Sequence, residues 1–198
     1  LEEPQAAFYA WVYKHTDDWQ QLVQPGQTIL VCDIGGGTTD FTLIQVRASQ
    51  KDDAGQSTND GLRGERVQFH RVAVGNHLIL GGDNLDLALA RHLEQKITGG
   101  EKLPSAQWDV LVRSCRRVKE ELLGEDAGER HTVHLPGSGA RLIGGGLQVE
   151  VTRDEVRELL VEGFVPRVSL QDKPQARQSG FQEFGLPYAV DPAMTRYL

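Results

Sequence analysis

The stretch Ile29 to Val46, ILVCDIGGGTTDFTLIQV, restricts the fold more than any other part of the chain. It reads as strand, tight glycine turn, strand. Ile29, Leu30 and Val31 form a short apolar run of the kind found in buried strands. Phe41, Leu43, Ile44 and Val46 follow the turn in a segment rich in β-formers. Between the strands lie Gly35, Gly36, Gly37 and Thr38, flanked by Asp33 and Asp40. Consecutive glycines let the backbone take positive φ and come close to a ligand. Their N–H groups can point inward together and make an anion nest. Thr38 adds a hydroxyl. The aspartates fall at facing ends of the two strands, where they can hold the water shell of a magnesium ion or orient an attacking water.

Two commoner phosphate sites do not fit this pattern. A dinucleotide-binding glycine loop and a P-loop both open a helix. Here the glycines open a second strand, and no Gly-Lys-Ser/Thr follows them. A plain hairpin turn with solubilising aspartates needs less than two carboxylates, three glycines and a threonine.

The segment Asp33-Ile34-Gly35-Gly36-Gly37-Thr38-Thr39-Asp40 resembles the second phosphate-binding hairpin of the DnaK-type 70-kDa heat-shock chaperones. Those chaperones are ATPases of the actin and sugar-kinase superfamily. The resemblance implies ATP or ADP and Mg2+ as ligands. In that reading Gly35, Gly36, Gly37 and Thr38 bind phosphate, while Asp33 and Asp40 organise magnesium through water.

Composition narrows the alternatives. Of 198 residues, 39% are hydrophobic and 25% charged, enough for a buried core and ordinary for a globular protein. Twenty-one basic and 28 acidic residues give a net charge of -7 with no basic cluster, which argues against nucleic acid. Apolar runs are only a few residues long, so no membrane span is expected. The start, LEEPQAAFYAW, lacks the basic and apolar regions of a signal peptide. Cys32, in a strand expected to be buried, and Cys115, on the apolar face of a helix, make neither a disulfide framework nor a metal site. They suit a reducing, cytoplasmic compartment. The chain does not begin with methionine and starts inside an expected helix, so a piece of a longer protein is expected.

Taken in order, Glu2 to Trp11 reads as a helix with Pro4 in its first turn. Glu3-Pro4-Gln5-Ala6-Ala7 resembles the Glu-Pro-Thr-Ala-Ala stretch of the chaperones, where the glutamate lies near magnesium and the attacking water. Glu3 is thereby a candidate catalytic residue beside Asp33, Thr38 and Asp40. Its other reading is a glutamate favoured by the helix dipole. His15 to Gln27 reads as a polar connection ending in the turn Pro25-Gly26. Arg47 to Gly64 reads as a flexible surface hairpin loop, longer than the family needs. Arg66 to Val74 alternates as a third strand, with Val67, Phe69, Val72 and Val74 expected in the core.

Gly75 to Asp86, GNHLILGGDNLD, resembles the chaperone segment Gly-Asp-Thr-His-Leu-Gly-Gly-Glu-Asp-Phe-Asp. The resemblance puts Gly81 and Gly82 near the phosphates. A helix then carries Leu85, Ala88, Leu89, Leu93 and Ile97 at helical spacing. His77 and His92 have no suitably spaced partner for a metal.

Trp108, Leu111, Val112, Cys115, Val118 and Leu122 define an amphipathic helix. In the chaperones the matching helix sandwiches adenine and ribose, and Lys119 falls on an adenosine-contacting lysine. Arg116 stands where many relatives carry glutamate, and Leu123 where they carry a base-contacting serine. A solvated basic face is the other reading of Arg116 and its neighbours. His131 to Leu135 and Leu147 to Val151 alternate as strands. The triplet Gly144-Gly145-Gly146 lacks flanking aspartates and reads as a turn or bulge. Thr152-Arg153-Asp154-Glu155 is a capping box opening a helix lined by Val156, Leu159, Leu160 and Phe164. Residues 169–198 are polar and proline-broken, without the second adenosine loop that the chaperones carry.

The likeness runs from about Glu2 to about Val168. It implies an α/β, actin-like ATPase (ribonuclease H-like) fold, and within it the second lobe. Residues 1–80 then belong to an inner sheet subdomain with the hairpin. Residues 81–165 form an outer helical and small-sheet subdomain, and 166–198 a divergent tail. The implied protein is a bacterial, cytoplasmic chaperone-like ATPase with ATP, the missing first lobe, unfolded peptide and a co-chaperone as partners, and neither nucleic acid nor membrane. The chain alone, lacking the first lobe, is expected to be inactive. Two other classes stay open: a sugar or acid kinase of the same superfamily, with an aspartate as base, and a non-enzymatic actin-like scaffold.

Overall fold

A computed structural model of the chain describes residues 3–48, 67–75, 77–137, 146–175 and 191–198. It divides into two compact units, one of Leu1–Ile34 and Thr39–His77, the other of Gly35–Thr38 and Leu78–Leu198.

The first unit is a helical segment on one face of a three-stranded antiparallel sheet. Helix α1 (Glu3–Lys14) and the single turn α2 (Trp19–Leu22) precede strands β1 (Thr28–Ile34), β2 (Thr39–Ala48) and β3 (Val67–Val74), which lie in that order across the sheet. Strand alternation sends every second side chain to the helical face. There Phe8, Val12, Trp19, Val23, Ile44 and Val46 form the buried cluster, with Ile29, Val31, Val67 and Phe69 against it. The Phe8 and Phe69 rings meet edge to face at 4.6 Å.

Three expectations are corrected in this unit. β1 is not a buried strand, because among the described residues it pairs on one side only and alternates between exposed and half-buried positions. Leu30 is 44% exposed and Cys32 is exposed, both on the face away from the cluster. In β3, Val67 and Phe69 reach the core side, but Val72 and Val74 do not. Plain alternation sends Val72 and Val74 to the face opposite Phe69, and the register shift between Leu43 and Ile44, which falls at Val72, does not bury them. The connection after α1 is not simply polar, since α2 buries Trp19.

The second unit packs two long helices on a two-stranded antiparallel sheet. Helix α3 (Gly82–Thr98) ends at left-handed Gly99, and α4 (Ser105–Leu123) follows. Strands β4 (Arg130–Leu135) and β5 (Leu147–Thr152) pair with Val133 opposite Val149. Ala88, Leu89 and Leu93 of α3 are buried, as are Leu111, Cys115, Val118 and Leu122 of α4. Leu85, Ile97, Trp108 and Val112, which the helical spacing placed on the same apolar faces, are only half-buried.

The chain then forms α5 (Arg153–Val156), a π-helical turn (Arg157–Val161) and α6 (Glu162–Phe164). Val156, Leu160 and Phe164 are fully buried. They are spaced four apart, as residues on one helix face are. Leu159 is only half-buried. The capping box holds, with the Thr152 N–H donating to Glu155 Oε2 at 2.8 Å and the Glu155 N–H to Thr152 Oγ1 at 3.2 Å.

In the tail, a 3₁₀ turn (Met194–Tyr197) is fixed by buried Asp191. Its carboxylate accepts from the Gln175 and Ala193 N–H groups, at 3.0 Å each, and from Arg196 at 2.8 Å. The loop expected over Arg47 to Gly64 begins later, since β2 runs to Ala48, and its remainder over residues 49–64, the glycines 144 and 145, and Phe181, Phe184, Leu186 and Tyr188 lie outside the described residues. Among the described residues no helix is long and apolar enough to cross a membrane.

Candidate phosphate loop and its supports

The glycine turn joins β1 to β2 and is closed by a 2.8 Å bond from the Gly35 N–H to the Thr38 carbonyl. Its carbonyl side is bound to the start of α3. The Gly82 N–H donates to Gly35 O at 2.9 Å, and the Asp83 N–H to Gly36 O at 2.7 Å. Helix N-termini leave N–H groups without intrahelical acceptors, and here two of them are used on the loop. A further one is retained within the helix start, where Asn84 N–H donates to Gly81 O at 3.0 Å and Asn84 Oδ1 accepts from Gly81 N–H at 2.9 Å. Among the described residues, none accepts a hydrogen bond from the N–H groups of Gly36, Gly37 or Thr38.

The need for glycine here is close approach, not positive φ. Among the described residues, positive φ occurs only at Gly26, Gly99 and Gly100. A Cβ on Gly81 would lie 2.6 Å from both Gly35 O and Gly36 O. A Cβ on Gly37 would meet nothing within 4 Å. Gly81 therefore permits the contact between helix start and loop, and Gly37 leaves the outer side of the turn bare.

Lys119, on α4, reaches the same helix start. Its ammonium lies 2.6 Å from Asp86 Oδ1 and donates to Gly82 O at 3.1 Å. The side chains are 18% and 6% exposed. Burial pushes the Asp86 carboxyl above its ordinary range, against the pull of Lys119. Lys119 is thus held inside the unit rather than displayed on the solvated face of α4. Arg116 is exposed and lies 3.4 Å from Glu120 one turn on.

Asp33 and Asp40 are direct cross-strand partners in β1 and β2. Like charges placed opposite each other destabilise a sheet, so the pair suits a cation. His77 Nδ1 lies 2.8 and 3.0 Å from the two oxygens of Asp40. This contact was not legible in the sequence, because it depends on where the chain turns after β3, at the Gly75 N–H to Phe41 O bond of 2.8 Å. His92 Nε2 lies 3.7 Å from Glu155, within the second unit. Glu3 opens α1. Among the described residues no three His, Cys, Asp or Glu side chains converge as a metal cage.

No family model matches the chain. Curated proteins do. Chaperone protein HscA of Shigella boydii is 27% identical over 183 residues, 92% of this chain and 23% of that protein. A chaperone protein HscA homolog of Shewanella loihica is 33% identical over 122 residues, covering 62% of this chain and 15% of the relative. Chaperone protein dnaK of Trieres chinensis is 30% identical over 115 residues, covering 56% and 15%. The chain therefore spans less than a quarter of the length of the curated relatives it matches.

Fold and site describe a mixed α/β chain with antiparallel sheets and a glycine turn tied to a helix start. The family these matches point to is that of the DnaK-type 70-kDa heat-shock chaperones, to whose members the chain is similar at 27–33% identity.

Proposed function

We propose that the chain is the second lobe of a chaperone-like ATPase with an actin-like fold, and that the whole protein binds Mg-ATP. The observation that carries this reading is the one-sided glycine turn. Its carbonyls are bonded to the first turn of α3, and the N–H groups of Gly36, Gly37 and Thr38 donate to no described acceptor. A row of such donors suits the acceptor-rich oxygens of a phosphate.

In this reading Gly35 to Thr38 hold phosphate, with the Thr38 hydroxyl as a further donor. Gly81 and Gly82 support that turn. Asp33 and Asp40 bind the water shell of magnesium and orient the attacking water, a task in which Glu3 shares. Bound magnesium supplies charge neutralisation to the phosphates. Facing carboxylates that do not close a ligand cage suit a hydrated ion better than a dehydrated one. Residues 1–80 contribute to the inner subdomain, 81–165 form the outer one, and 166–198 return toward the inner one. The whole protein couples hydrolysis to conformational change and peptide binding in the cytoplasm, with a co-chaperone and the first lobe as partners. This chain alone turns over no ATP, because phosphoryl transfer needs charge neutralised from all sides.

The test is Mg-ATP binding and hydrolysis by the full-length protein, beside Asp33→Ala and Thr38→Ala. Hydrolysis in the parent and its loss in both variants is the expected result. Absence of nucleotide binding in the parent would replace this reading with that of a non-enzymatic scaffold. The engagement of Lys119 by Asp86 is the observation that favours the scaffold.

A further inference from the structure

We propose that His77 is the positioning residue for Asp40, fixing the carboxylate that binds the water shell of magnesium in the reading above. The inference deepens that reading and rests on it.

The two facing carboxylates are not equivalent. Asp33 and Asp40 are cross-strand partners, yet of the two only Asp40 has a side-chain partner among the described residues. An ionised carboxylate accepts hydrogen bonds and donates none, so the proton of this contact is on His77 Nδ1. That nitrogen lies 2.8 and 3.0 Å from the two oxygens of Asp40. The last torsion of an aspartate is broad and soft. A donor shared by both oxygens removes that freedom and sets the plane of the carboxylate. A carboxylate has about four lone-pair sites, so one shared donor leaves others for metal-bound waters. The N–H also draws charge from Asp40, which eases the repulsion between like charges placed opposite each other.

The backbone places His77, and packing of its ring does not. The chain leaves β3 with the Gly75 N–H bonded to Phe41 O at 2.8 Å, at the residue next to Asp40. A Cβ on Gly75 would lie 3.3 Å from that oxygen and 3.4 Å from Phe41 Cβ, so the small residue permits the close turn. Two residues on, His77 reaches Asp40. Its side chain is 61% exposed, that of Asp40 29%. A ring that buries so little apolar surface adds little to the core. Replacing it therefore tests the carboxylate and leaves the fold in place.

The experiment uses the full-length protein as parent, with His77→Ala, His77→Asn and, as control, His15→Ala. Asn carries its amide nitrogen on Cγ, where His carries Nδ1, so it can restore the N–H. His15 and Asp18 form a second exposed pair, at 3.1 Å, in the turn after α1. Three quantities are measured in each: the affinity for ATP without metal, the magnesium concentration at which Mg-ATP binding is half-complete, and the midpoint of urea unfolding. His77→Ala is expected to need about tenfold more magnesium, the lower end for partners that orient metal-binding groups. Its metal-free affinity and unfolding midpoint should stay at the parent values. His77→Asn and His15→Ala should behave like the parent. In the nucleotide-free parent, nitrogen-15 spectra of the imidazoles should show a proton on His77 Nδ1.

An unchanged magnesium requirement in His77→Ala would overturn the proposal. A lowered requirement would overturn it too, since His77 would then compete with the ion. Parallel losses in metal-free affinity and unfolding midpoint would reduce the contact to a loop tie, and a bare Nδ1 would remove the donor altogether. If the parent binds no ATP with or without magnesium, the nucleotide reading fails and takes this inference with it. Magnesium-dependent binding in the parent with indifferent His77 variants sinks the inference alone.

Discussion

The Nδ1 atom of His77 sits 2.8 Å from one oxygen of Asp40 and 3.0 Å from the other. The contact links the end of the segment after β3 to the start of β2, across 37 residues of chain. His77 is 61% exposed, so water screens the pair. His77→Ala is expected to change stability by less than about 1 kcal/mol, as exposed pairs do. Denaturant unfolding checks this, and a loss above about 2 kcal/mol would show a larger structural role. If Asp40 serves a hydrated magnesium ion, the same variant also shifts the magnesium concentration needed for nucleotide binding.

Two glycines of the candidate site should respond in opposite ways. Gly81→Ala puts a methyl group 2.6 Å from two backbone oxygens, and backbone yields little. A cost of about 1–3 kcal/mol is expected from this overpacking. Gly37→Ala meets nothing within 4 Å and needs no left-handed backbone. Its stability should stay within about 0.5 kcal/mol of the parent. Under the phosphate reading, nucleotide affinity falls in both. Thermal unfolding beside Mg-ATP binding separates the two effects.

The capping box gives a pH dependence with a defined sign. Desolvation pulls the Glu155 carboxyl up, but Lys96 at 2.6 Å and the Thr152 N–H and hydroxyl outweigh it. The net effect lowers it from 4.5 to about 2. A depressed carboxyl favours the folded state above its unfolded value, and the contribution is lost as pH falls through the folded one. Glu155→Gln should therefore cost about 1 kcal/mol at neutral pH, the usual size of a cap. The difference from the parent should shrink between pH 4.5 and about 2. Urea unfolding across that range measures it, and a constant difference would refute the assignment.

The cysteines should differ in reactivity. Cys115 is fully buried, and desolvation, with Asp86 nearby, pushes its thiol up to about 12. Cys32 is exposed in β1, although partial burial raises its thiol as well. Because the thiolate is the nucleophile, a thiol reagent applied to the folded 198-residue chain should modify Cys32 and spare Cys115 until unfolding. Mass spectrometry of the labelled peptides reads this directly, and early labelling of Cys115 would contradict the packing of α4.

Leu111 offers a test of the second core. It is fully buried beside Cys115 and Val118. Leu111→Ala is expected to cost about 2–5 kcal/mol, through lost burial and the cavity left behind. Calorimetry or denaturant unfolding checks the value, and a loss below about 1 kcal/mol would mean a poorly packed helix.

Much of the architecture was legible in the chain itself. The Gly35–Gly37 turn between apolar runs fixed a hairpin, and its ladder runs from Thr28 opposite Gln45 to Ile34 opposite Thr39. The spacing of Leu89, Leu93, Leu111, Cys115 and Val118 fixed two buried helix faces. Thr152 and Glu155 marked a helix start. These signals are local: periodicity, turn chemistry and capping act within a few residues, so the sequence carries them openly.

Tertiary structure decided the rest. The resemblance made Lys119 a nucleoside contact, and what only packing of α4 against α3 reveals is its contact with Asp86 and the Gly82 carbonyl. The apolar run Ile29–Val31 read as buried, yet among the described residues β1 pairs on one side only and leaves Leu30 exposed. His77 meets Asp40, and Asp191 gathers Gln175, Ala193 and Arg196, through turns that no local pattern announces. The physical reason is that a polar side chain finds its partner wherever folding brings one within about 3 Å, and most of these partners lie far away in the chain.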